Sequence, residues 1–264
     1  MAEKKLTVAD LQQMKRDKKK ICAAITYDYQ MAQIMDHAGF DLLTVGDSVG
    51  RNMWGQATHH DVTVEQMILV CLAVTRGVKR AVVSCDMPFG PVQEGVDAAV
   101  RAAIRLVKEG HAEMVKLDNA TSNLEAVRRI AKGGIPVWTQ FGFSPQSMLS
   151  RGSLDNSTEE MAKRMRDQIV ADAKALEEAG ASMLDLTHVR DHSIYAEVAE
   201  KCRIPVLGGS STAGPEADGR ISGFTYRAVA LDGGPVPGRG GEVAKLILEL
   251  AKKYVDDVRA ARPF

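Results

Sequence analysis

The sequence predicts an α/β fold, a single (β/α)8 barrel of the TIM type with an extra N-terminal helix. Short apolar runs alternate with amphipathic helical segments along the chain, a pattern typical of parallel strands joined by right-handed crossovers. Polar residues accumulate where the apolar runs end, as they do at the carboxyl-terminal mouth of such a barrel. No Gly-x-Gly-x-x-Gly follows the first run, which disfavours the alternative of a doubly wound dinucleotide-binding sheet.

The order of the elements supports this fold. Thr7 and Asp10 form a capping-box pattern that opens the N-terminal helix. Seven clear strands are predicted at 21–26, 41–45, 81–85, 113–118, 135–140, 182–187 and 204–208. The stretch 219–232 is ambiguous, and an eighth strand is predicted near 224–231. Helices are predicted at 8–18, 30–38, 64–76, 95–109, 124–132, 159–179, 192–202 and 241–261.

Composition limits the classes of function. The 264 residues are 45% hydrophobic, and no Pro/Ser/Gly-rich linker divides them, so we expect one domain over 1–264. The 34 basic residues balance the 34 acidic ones, which predicts no nucleic-acid or membrane partner. Four scattered cysteines, without metal-finger spacing, are expected to be buried free thiols. No signal peptide or long apolar run is evident, so we expect a soluble cytoplasmic protein.

Three acidic residues end successive predicted strands. Asp47, Asp86 and Asp118 follow the second, third and fourth strands, and in a barrel their side chains would meet at the mouth. Clustered carboxylates repel one another unless a cation or protons neutralise them, and Mg²⁺ is the simplest oxygen-preferring cation. Lys116 is predicted on the same face as Asp118, as an ion-pair partner or a ligand of a substrate carboxylate. A Schiff-base role is less favoured, because nearby anions keep the amine protonated.

Two further polar stretches have alternative interpretations. Gly46-Asp47-Ser48 is either an Asx-turn or a ligand site in which Ser48 donates to a bound anion. His59-His60-Asp61 invites a metal-site interpretation. Adjacent histidines point in different directions, however, so a solvated loop is favoured.

Six short motifs follow one another along the first part of the chain. They are Thr26-Tyr27-Asp28-Tyr29 with Ala32, Val45-Gly46-Asp47-Ser48-Val49-Gly50, Val62-Thr63-Val64, Asp86-Met87-Pro88-Phe89-Gly90, Val115-Lys116-Leu117 and Gly142-Phe143-Ser144-Pro145-Gln146-Ser147. In this order they resemble the ketopantoate hydroxymethyltransferase family, densely from about residue 6 to residue 147.

The resemblance implies a barrel like those of phosphoenolpyruvate mutase and isocitrate lyase. It implies Mg²⁺-dependent transfer of a hydroxymethyl group from 5,10-methylenetetrahydrofolate to a 2-oxo acid, 3-methyl-2-oxobutanoate, through a metal-stabilised enolate. Asp47 and Asp86 would ligate the metal, and Asp118 would take the place of a third acidic residue, usually Glu. Ser48 and Lys116 would contact the oxo acid, together with the metal-binding carboxylates. A cytoplasmic homo-oligomer at the start of pantothenate synthesis is expected, as in the family, where decamers are common.

The chain departs from the family where a catalytic glutamate is usual. The matching residue is Thr187, which cannot act as a base near neutral pH. Asp185, on the same face one layer deeper, and His188, one residue later, are the candidate catalytic bases, with Asp191 and His192 more remote. A purely structural role for Asp185 and His188 is equally open.

Other departures lie on the same side of the predicted mouth. The segments 148–153 and 207–214 differ from the family pattern, and Gln140 stands where histidine is usual. These changes leave three hypotheses: the family reaction, a folate-independent Mg²⁺-dependent aldolase or lyase acting on another 2-oxo acid, and a divergent barrel that is not an enzyme.

Overall fold

Eight parallel strands close into one barrel in the computed structural model. Their order around the barrel is β1 to β8, and β1 pairs with both β2 and β8. The structure describes residues 4–147, 149, 158–209 and 213–230, with positions 241, 243, 245, 246, 249 and 251. The predicted barrel is confirmed.

The elements alternate as the sequence indicates. The strands are β1 (Ile21–Ile25), β2 (Leu42–Val45), β3 (Val82–Asp86), β4 (Met114–Leu117), β5 (Val137–Gly142), β6 (Met183–Thr187), β7 (Val206–Gly209) and β8 (Gly219–Ser222). The α-helices are Val8–Arg16, Tyr29–His37, Val49–Met53, Val64–Gly77, Pro91–Glu94, Val96–Lys108, Leu124–Lys132, Glu159–Arg164, Arg166–Glu178, His192–Lys201 and Phe224–Val229. Short 3-10 turns lie at His59–Asp61, Ala120–Asn123 and Pro145–Ser147.

The eighth strand was predicted in the wrong place. It is Gly219–Ser222, and the stretch predicted as strand is the helix Phe224–Val229. The aromatic and β-branched content of that stretch suggested a strand. In the fold its Thr225 hydroxyl instead donates to Ile25 O, 2.6 Å away, and this bond ties the helix to the end of β1.

The N-terminal helix closes one end of the barrel. Its capping box is present, with Thr7 and Asp10 bonded reciprocally. Leu11 is fully buried and packs against apolar side chains inside the barrel, among them Ile21, Leu42 and Trp138. This packing closes the amino-terminal end of the barrel, and the polar strand ends lie at the opposite, carboxyl-terminal mouth.

The barrel interior changes from apolar to charged along its axis. On β4 the inward-facing Met114 is followed two residues later by Lys116, and on β6 Met183 is followed by Asp185. Side chains two residues apart lie on the same face of a strand, so these polar residues form the next layer toward the mouth. All four are buried.

Other predictions have mixed outcomes. The long helix predicted at 159–179 is two helices that meet at Met165. The four cysteines are free thiols; Cys22 is exposed and the other three are buried. No helix in the described part of the chain is long and apolar enough to span a membrane. Most of the divergent 148–153 segment and of the predicted helix 241–261, as well as 210–212, lie outside the described residues.

Candidate active site

Lys116 lies at the centre of the carboxyl-terminal mouth. The strand register places it beside Asp86 on β3, and its Nζ is 2.7 Å from Asp185 Oδ2 on β6. The ammonium also lies 4.7 Å from the centre of the Trp138 ring, on the side facing the closed end, a favourable cation–π arrangement. Lys116 on β4 therefore interacts electrostatically with Asp86 on β3 and Asp185 on β6.

The carboxylates around Lys116 keep it protonated. Burial alone favours the neutral amine, but the charges of Asp185 and Asp86 outweigh burial and raise the pKa of Lys116 above its usual value. An amine that stays protonated is a poor nucleophile. Lys116 can therefore act on a ligand through its charge, and the geometry disfavours a Schiff base.

Gln146 bridges two of the three predicted metal-site carboxylates. Its side-chain Nε2 donates to Asp47 Oδ2 at 2.9 Å, and its backbone N–H donates to Asp118 Oδ2, also at 2.9 Å. The same side chain donates to Met87 O at 3.1 Å. The turn Pro145–Ser147 after β5 thus folds over the ends of β2, β3 and β4, and Asp47 and Asp118 face the same residue.

Asp86 lies among like charges. Burial raises the pKa of Asp86 to about 7; Lys116 opposes this rise, whereas Asp47, Asp118 and Asp185 add to it. Thr44 Oγ1 donates to Asp86 Oδ1 at 3.2 Å, so the carboxyl group is anchored but not neutralised. A divalent cation would relieve this repulsion, and carboxylate oxygens are the ligands that Mg²⁺ prefers. The residues present therefore fit Mg²⁺.

The three carboxylates do not by themselves form a complete metal shell. Within the described ranges, no three His, Cys, Asp or Glu side chains are arranged to hold a metal ion. Mg²⁺ is commonly bound by one or two carboxylates, with water and substrate oxygens completing the shell. Asp47 and Asp86 suit that arrangement.

Asp118 is more heavily hydrogen-bonded than the other two. It accepts from the Ser144 hydroxyl and from the backbone N–H groups of Asn119 and Gln146. Burial raises its pKa to about 6, although the bonds from Ser144 and Gln146 oppose the rise. A carboxylate has about four acceptor sites, so Asp118 has little capacity left, and its role as a metal ligand stays a prediction.

Ser48 begins a polar chain that leads away from the metal-site carboxylates. Its Oγ is 2.8 Å from the Tyr27 hydroxyl, which also accepts from Asn52 Nδ2 at 2.8 Å. The side chain of Ser48 does not cap the helix Val49–Met53. Its hydroxyl is therefore held at the mouth by Tyr27, next to Asp47 in the chain.

The histidines after β2 are not a solvated loop, and that expectation was wrong. His59 has only 14% of its side chain exposed, and its Nδ1 lies 3.4 Å from Asp47 Oδ1. His60 Nε2 donates to Gln146 O at 3.1 Å, and its ring packs edge-on against Phe89. The turn His59–Asp61 folds back over the mouth, held in shape by Thr58 and Asp61 in a capping box.

The two candidate bases lie at the end of β6: Asp185 is within the strand, and His188 follows its last residue, Thr187. Thr187 is buried, and its carbonyl accepts from Phe143 N. His188 follows with a left-handed backbone, φ 56°, a conformation uncommon for residues other than glycine and often found at functional sites. Burial lowers the pKa of His188, and Asp185 opposes this only in part. The imidazole is therefore neutral near pH 7 and lies within electrostatic reach of Lys116 and His59.

Sequence reasoning missed the roles of Gln146 and His59 in this site. Gln146 lies in a motif shared with the family, but the motif does not reveal that its amide bridges Asp47 and Asp118. No local pattern indicates that His59 turns back onto Asp47. Lys116, Asp86, Asp47 and Asp185 are brought together as their positions at strand ends suggest.

Comparisons with known proteins agree with this picture. The ketopantoate hydroxymethyltransferase family profile matches residues 5–262. The 3-methyl-2-oxobutanoate hydroxymethyltransferase of Cytophaga hutchinsonii is 38% identical over 260 residues, covering 97% of this chain and 93% of that protein. The enzyme of the same name from Salinibacter ruber is 35% identical over 258 residues, covering 97% and 95%.

Solved structures with little sequence identity share the fold. 2,3-Dimethylmalate lyase, a member of the PEP mutase/isocitrate lyase superfamily, has a TM-score of 0.64 at 18% identity, covering 96% of this chain and 89% of that one. Phosphonopyruvate hydrolase, solved with oxalate and Mg²⁺, has a TM-score of 0.62 at 13% identity, covering 98% and 92%. The family profile and the relatives, rather than these structures, identify the chain: it belongs to the ketopantoate hydroxymethyltransferase family, a family of enzymes.

Proposed function

We propose that the chain transfers a hydroxymethyl group from 5,10-methylenetetrahydrofolate to 3-methyl-2-oxobutanoate, forming ketopantoate in a Mg²⁺-dependent reaction. Family membership supports the reaction class. The observation that carries the proposal is the set of charges at the mouth, in which Asp47 and Asp86 lie beside a protonated Lys116. This set suits a cation together with the carboxylate and oxo oxygens of a small acid.

Asp47 and Asp86 are the residues that would hold the metal, with Asp118 as a weaker third candidate. When bound, Mg²⁺ supplies positive charge where the oxo oxygen becomes negative as carbon 3 loses its proton. Phosphonopyruvate hydrolase, which shares the fold, was solved in complex with oxalate and Mg²⁺. Both the metal and its ligands are proposals for this chain.

Lys116 and Ser48 would bind the oxo acid. Lys116 remains an ammonium and can pair with the substrate carboxylate or oxo group, while the Ser48 hydroxyl, held by Tyr27, can donate a hydrogen bond. Asp185 contacts Lys116 directly. Asp185 would therefore act as a positioning residue, because its carboxylate is engaged by Lys116 Nζ at 2.7 Å.

His188 is the better candidate for the general base. It follows β6 directly after Thr187, its backbone is held in an uncommon conformation, and its lowered pKa leaves the imidazole free to accept a proton at neutral pH. The His188 imidazole would take the proton from carbon 3, and carbon 3 would then bond to the methylene carbon of the donor as the bonds from that carbon to the two folate nitrogens break. Water would supply the hydroxyl oxygen, and tetrahydrofolate would leave with one proton from carbon 3, passed on by His188, and one from water. An imidazole whose pKa lies below the working pH is unprotonated there and can accept a proton.

A second candidate function is a folate-independent, Mg²⁺-dependent aldolase or lyase acting on another 2-oxo acid. The observation that favours it is Thr187, which replaces the usual glutamate while the charged cluster around Lys116 is complete. In this case the metal and oxo-acid residues would keep their roles, and an aldehyde would replace the folate.

The experiment that separates the two supplies each donor to the purified protein with Mg²⁺ and 3-methyl-2-oxobutanoate. We expect ketopantoate, measured by mass spectrometry, with 5,10-methylenetetrahydrofolate and none after EDTA treatment. Product from formaldehyde but none from the folate would contradict the first function and support the second. Asp86→Asn is expected to form no ketopantoate, whereas its matched control Asp97→Asn, which alters a largely exposed carboxylate, should behave like the wild type.

We also propose, from the family resemblance, that the protein is a cytoplasmic homo-oligomer. Light scattering of the purified protein, with its mass compared to the 28.6 kDa of one chain, tests the oligomeric state.

A further inference from the structure

Trp138 is the only aromatic residue, among those that the structure describes, in the apolar cluster that fills the closed end of the barrel. Fully buried side chains of the same cluster on β4, β6 and β7 are Met114, Met183 and Leu207, none of which carries a ring. Because aromatic residues make up only 5% of the chain, the ring at this position is a specific feature of β5 rather than a general property of the interior.

The ring of Trp138 lies against a buried cation. Within the described ranges, Lys116 is the only lysine or arginine that is buried, and the register of β4 and β5 sets it opposite Trp138. Lys116 Nζ lies 4.7 Å from the ring centre. This distance is within the range of about 6 Å over which an aromatic face attracts an ammonium group, and tryptophan attracts it more strongly than phenylalanine or tyrosine.

The polar edge of the indole does not explain the residue. Trp138 Nε1 is buried and has no hydrogen-bond partner in the described part of the protein. A buried donor without a partner lowers stability, so the N–H group contributes nothing favourable at this position. The contact that accounts for a tryptophan is therefore its ring face against Lys116.

Two contacts hold the ammonium group of Lys116 from different sides. Asp185 Oδ2 on β6 lies 2.7 Å from Nζ, and the ring of Trp138 lies on the side facing the closed end. An ammonium group has three N–H donors, and an aromatic face attracts the charge without accepting a directed hydrogen bond of the usual kind. Trp138 therefore supports Lys116 while leaving donors for a ligand oxygen in the mouth.

We propose that Trp138 is a positioning residue, whose ring face holds the Lys116 ammonium where it meets the carboxylate or oxo oxygen of the 2-oxo acid. This role rests on the proposed function, in which Lys116 binds the acid. Trp138 acts only through Lys116. The aromatic face, rather than the volume of the side chain, is what the site requires, so phenylalanine should retain the role and leucine should lose it.

The test compares Trp138→Phe, which keeps an aromatic face, with Trp138→Leu, which removes it. Calorimetry with 3-methyl-2-oxobutanoate at saturating Mg²⁺ measures the dissociation constant of each. Trp138→Phe should stay within about threefold of the wild type, and Trp138→Leu should bind roughly tenfold more weakly, as expected for the loss of one buried cation–π contact. Binding of Mg²⁺ without the acid should match the wild type in both variants, because Asp47 and Asp86 are unchanged.

A second measurement leaves Trp138 in place. The chain has two tryptophans, and the other, Trp54, is exposed. Trp54→Phe is therefore the matched control, with wild-type affinity for the acid, and it leaves Trp138 as the sole tryptophan. Its emission should change as the acid binds in the presence of Mg²⁺, with the dissociation constant that calorimetry gives. Adding Lys116→Met to this variant should shift the emission before any ligand is present, because the cation beside the ring is removed.

Wild-type affinity for the acid in Trp138→Leu, or an equal loss in Trp138→Phe and Trp138→Leu, would overturn the positioning role. If Trp138→Leu does not fold, the emission of Trp138 decides, and emission that neither the acid nor Lys116→Met alters would overturn the role. The proposed function can fail separately, since a protein that forms no ketopantoate with either donor can still bind the acid more tightly than Trp138→Leu does. A wild type that does not bind the acid overturns both.

Discussion

Replacing Asp86 with asparagine should make the metal-free protein more stable while removing its activity. The pKa of Asp86 rises from 3.8 to about 7 in the folded state, because of burial and the neighbouring carboxylates. Folding therefore favours the protonated form. The protonated carboxyl group makes its full contribution to the free energy of unfolding below about pH 4, and this contribution is lost as the pH rises toward 7.

The size of the effect follows from that rise. A rise in pKa of about three, at 1.36 kcal/mol for each unit, gives roughly 4 kcal/mol as the upper limit of the free energy that the ionised carboxylate costs the folded state. Solvent at the partly exposed mouth reduces this cost to about 2 kcal/mol. Asparagine is neutral at every pH and can still accept from Thr44 Oγ1, which lies 3.2 Å from the carboxylate in the native protein. Above neutral pH, Asp86→Asn should therefore exceed the wild type in free energy of unfolding by about 2 kcal/mol.

Urea unfolding in EDTA, followed by circular dichroism and by tryptophan fluorescence, measures this difference. Added Mg²⁺ should stabilise the wild type and leave Asp86→Asn unchanged, because ligands that bind only the folded state raise its stability. The control Asp97→Asn should match the wild type both in its stability in EDTA and in its stabilisation by added Mg²⁺. An Asp86→Asn protein that is less stable than the wild type above neutral pH would refute the reasoning, since it would mean that the carboxylate is not strained by its neighbours.

The other predictions concern the base and its surroundings. His188→Gln should lower kcat by about 10²–10⁴-fold with a small change in KM, and an unchanged kcat would contradict the assigned base. At saturating Mg²⁺ the kcat of the wild type should decrease as the pH is lowered, with an apparent pKa below 6.5, because burial lowers the pKa of His188. If the same decrease is seen in His188→Gln, it belongs to another group. Thr187→Glu should raise transfer, most clearly in a His188→Ala background, and no gain in a folded, Mg²⁺-binding double variant would show that other differences from the family matter more. Asp185→Asn should weaken oxo-acid binding through Lys116 yet retain deuterium exchange at carbon 3, measured by NMR; loss of exchange with normal binding would make Asp185 the base.

Much of the fold could be predicted because the barrel is built from local patterns. The capping box at Thr7 and the helix Leu124–Lys132 match their predicted positions. The eighth strand could not be placed, because Gly219–Ser222 is short and begins with glycine. A Cβ on Gly219 would lie 2.3 Å from Ile21 O, so the close approach of β1, which only the folded chain shows, explains the residue.

The charged centre of the site could be predicted only in part. Alternation along the strands placed Lys116, Asp86 and Asp185 toward the mouth. It could not show that Lys116 pairs with Asp185 across β5, because that distance depends on the curvature of the closed barrel. The position of His59 against Asp47 depends on a turn folding back over the mouth, and this is a tertiary contact with no local signal.

A crystal structure with Mg²⁺ and 3-methyl-2-oxobutanoate tests the central claim most directly. The predicted result has the metal bound by Asp47 and Asp86, the oxo acid in contact with Lys116 and Ser48, and the His188 imidazole within reach of carbon 3. A metal or oxo acid bound away from these carboxylates, or a different side chain over carbon 3, would contradict it.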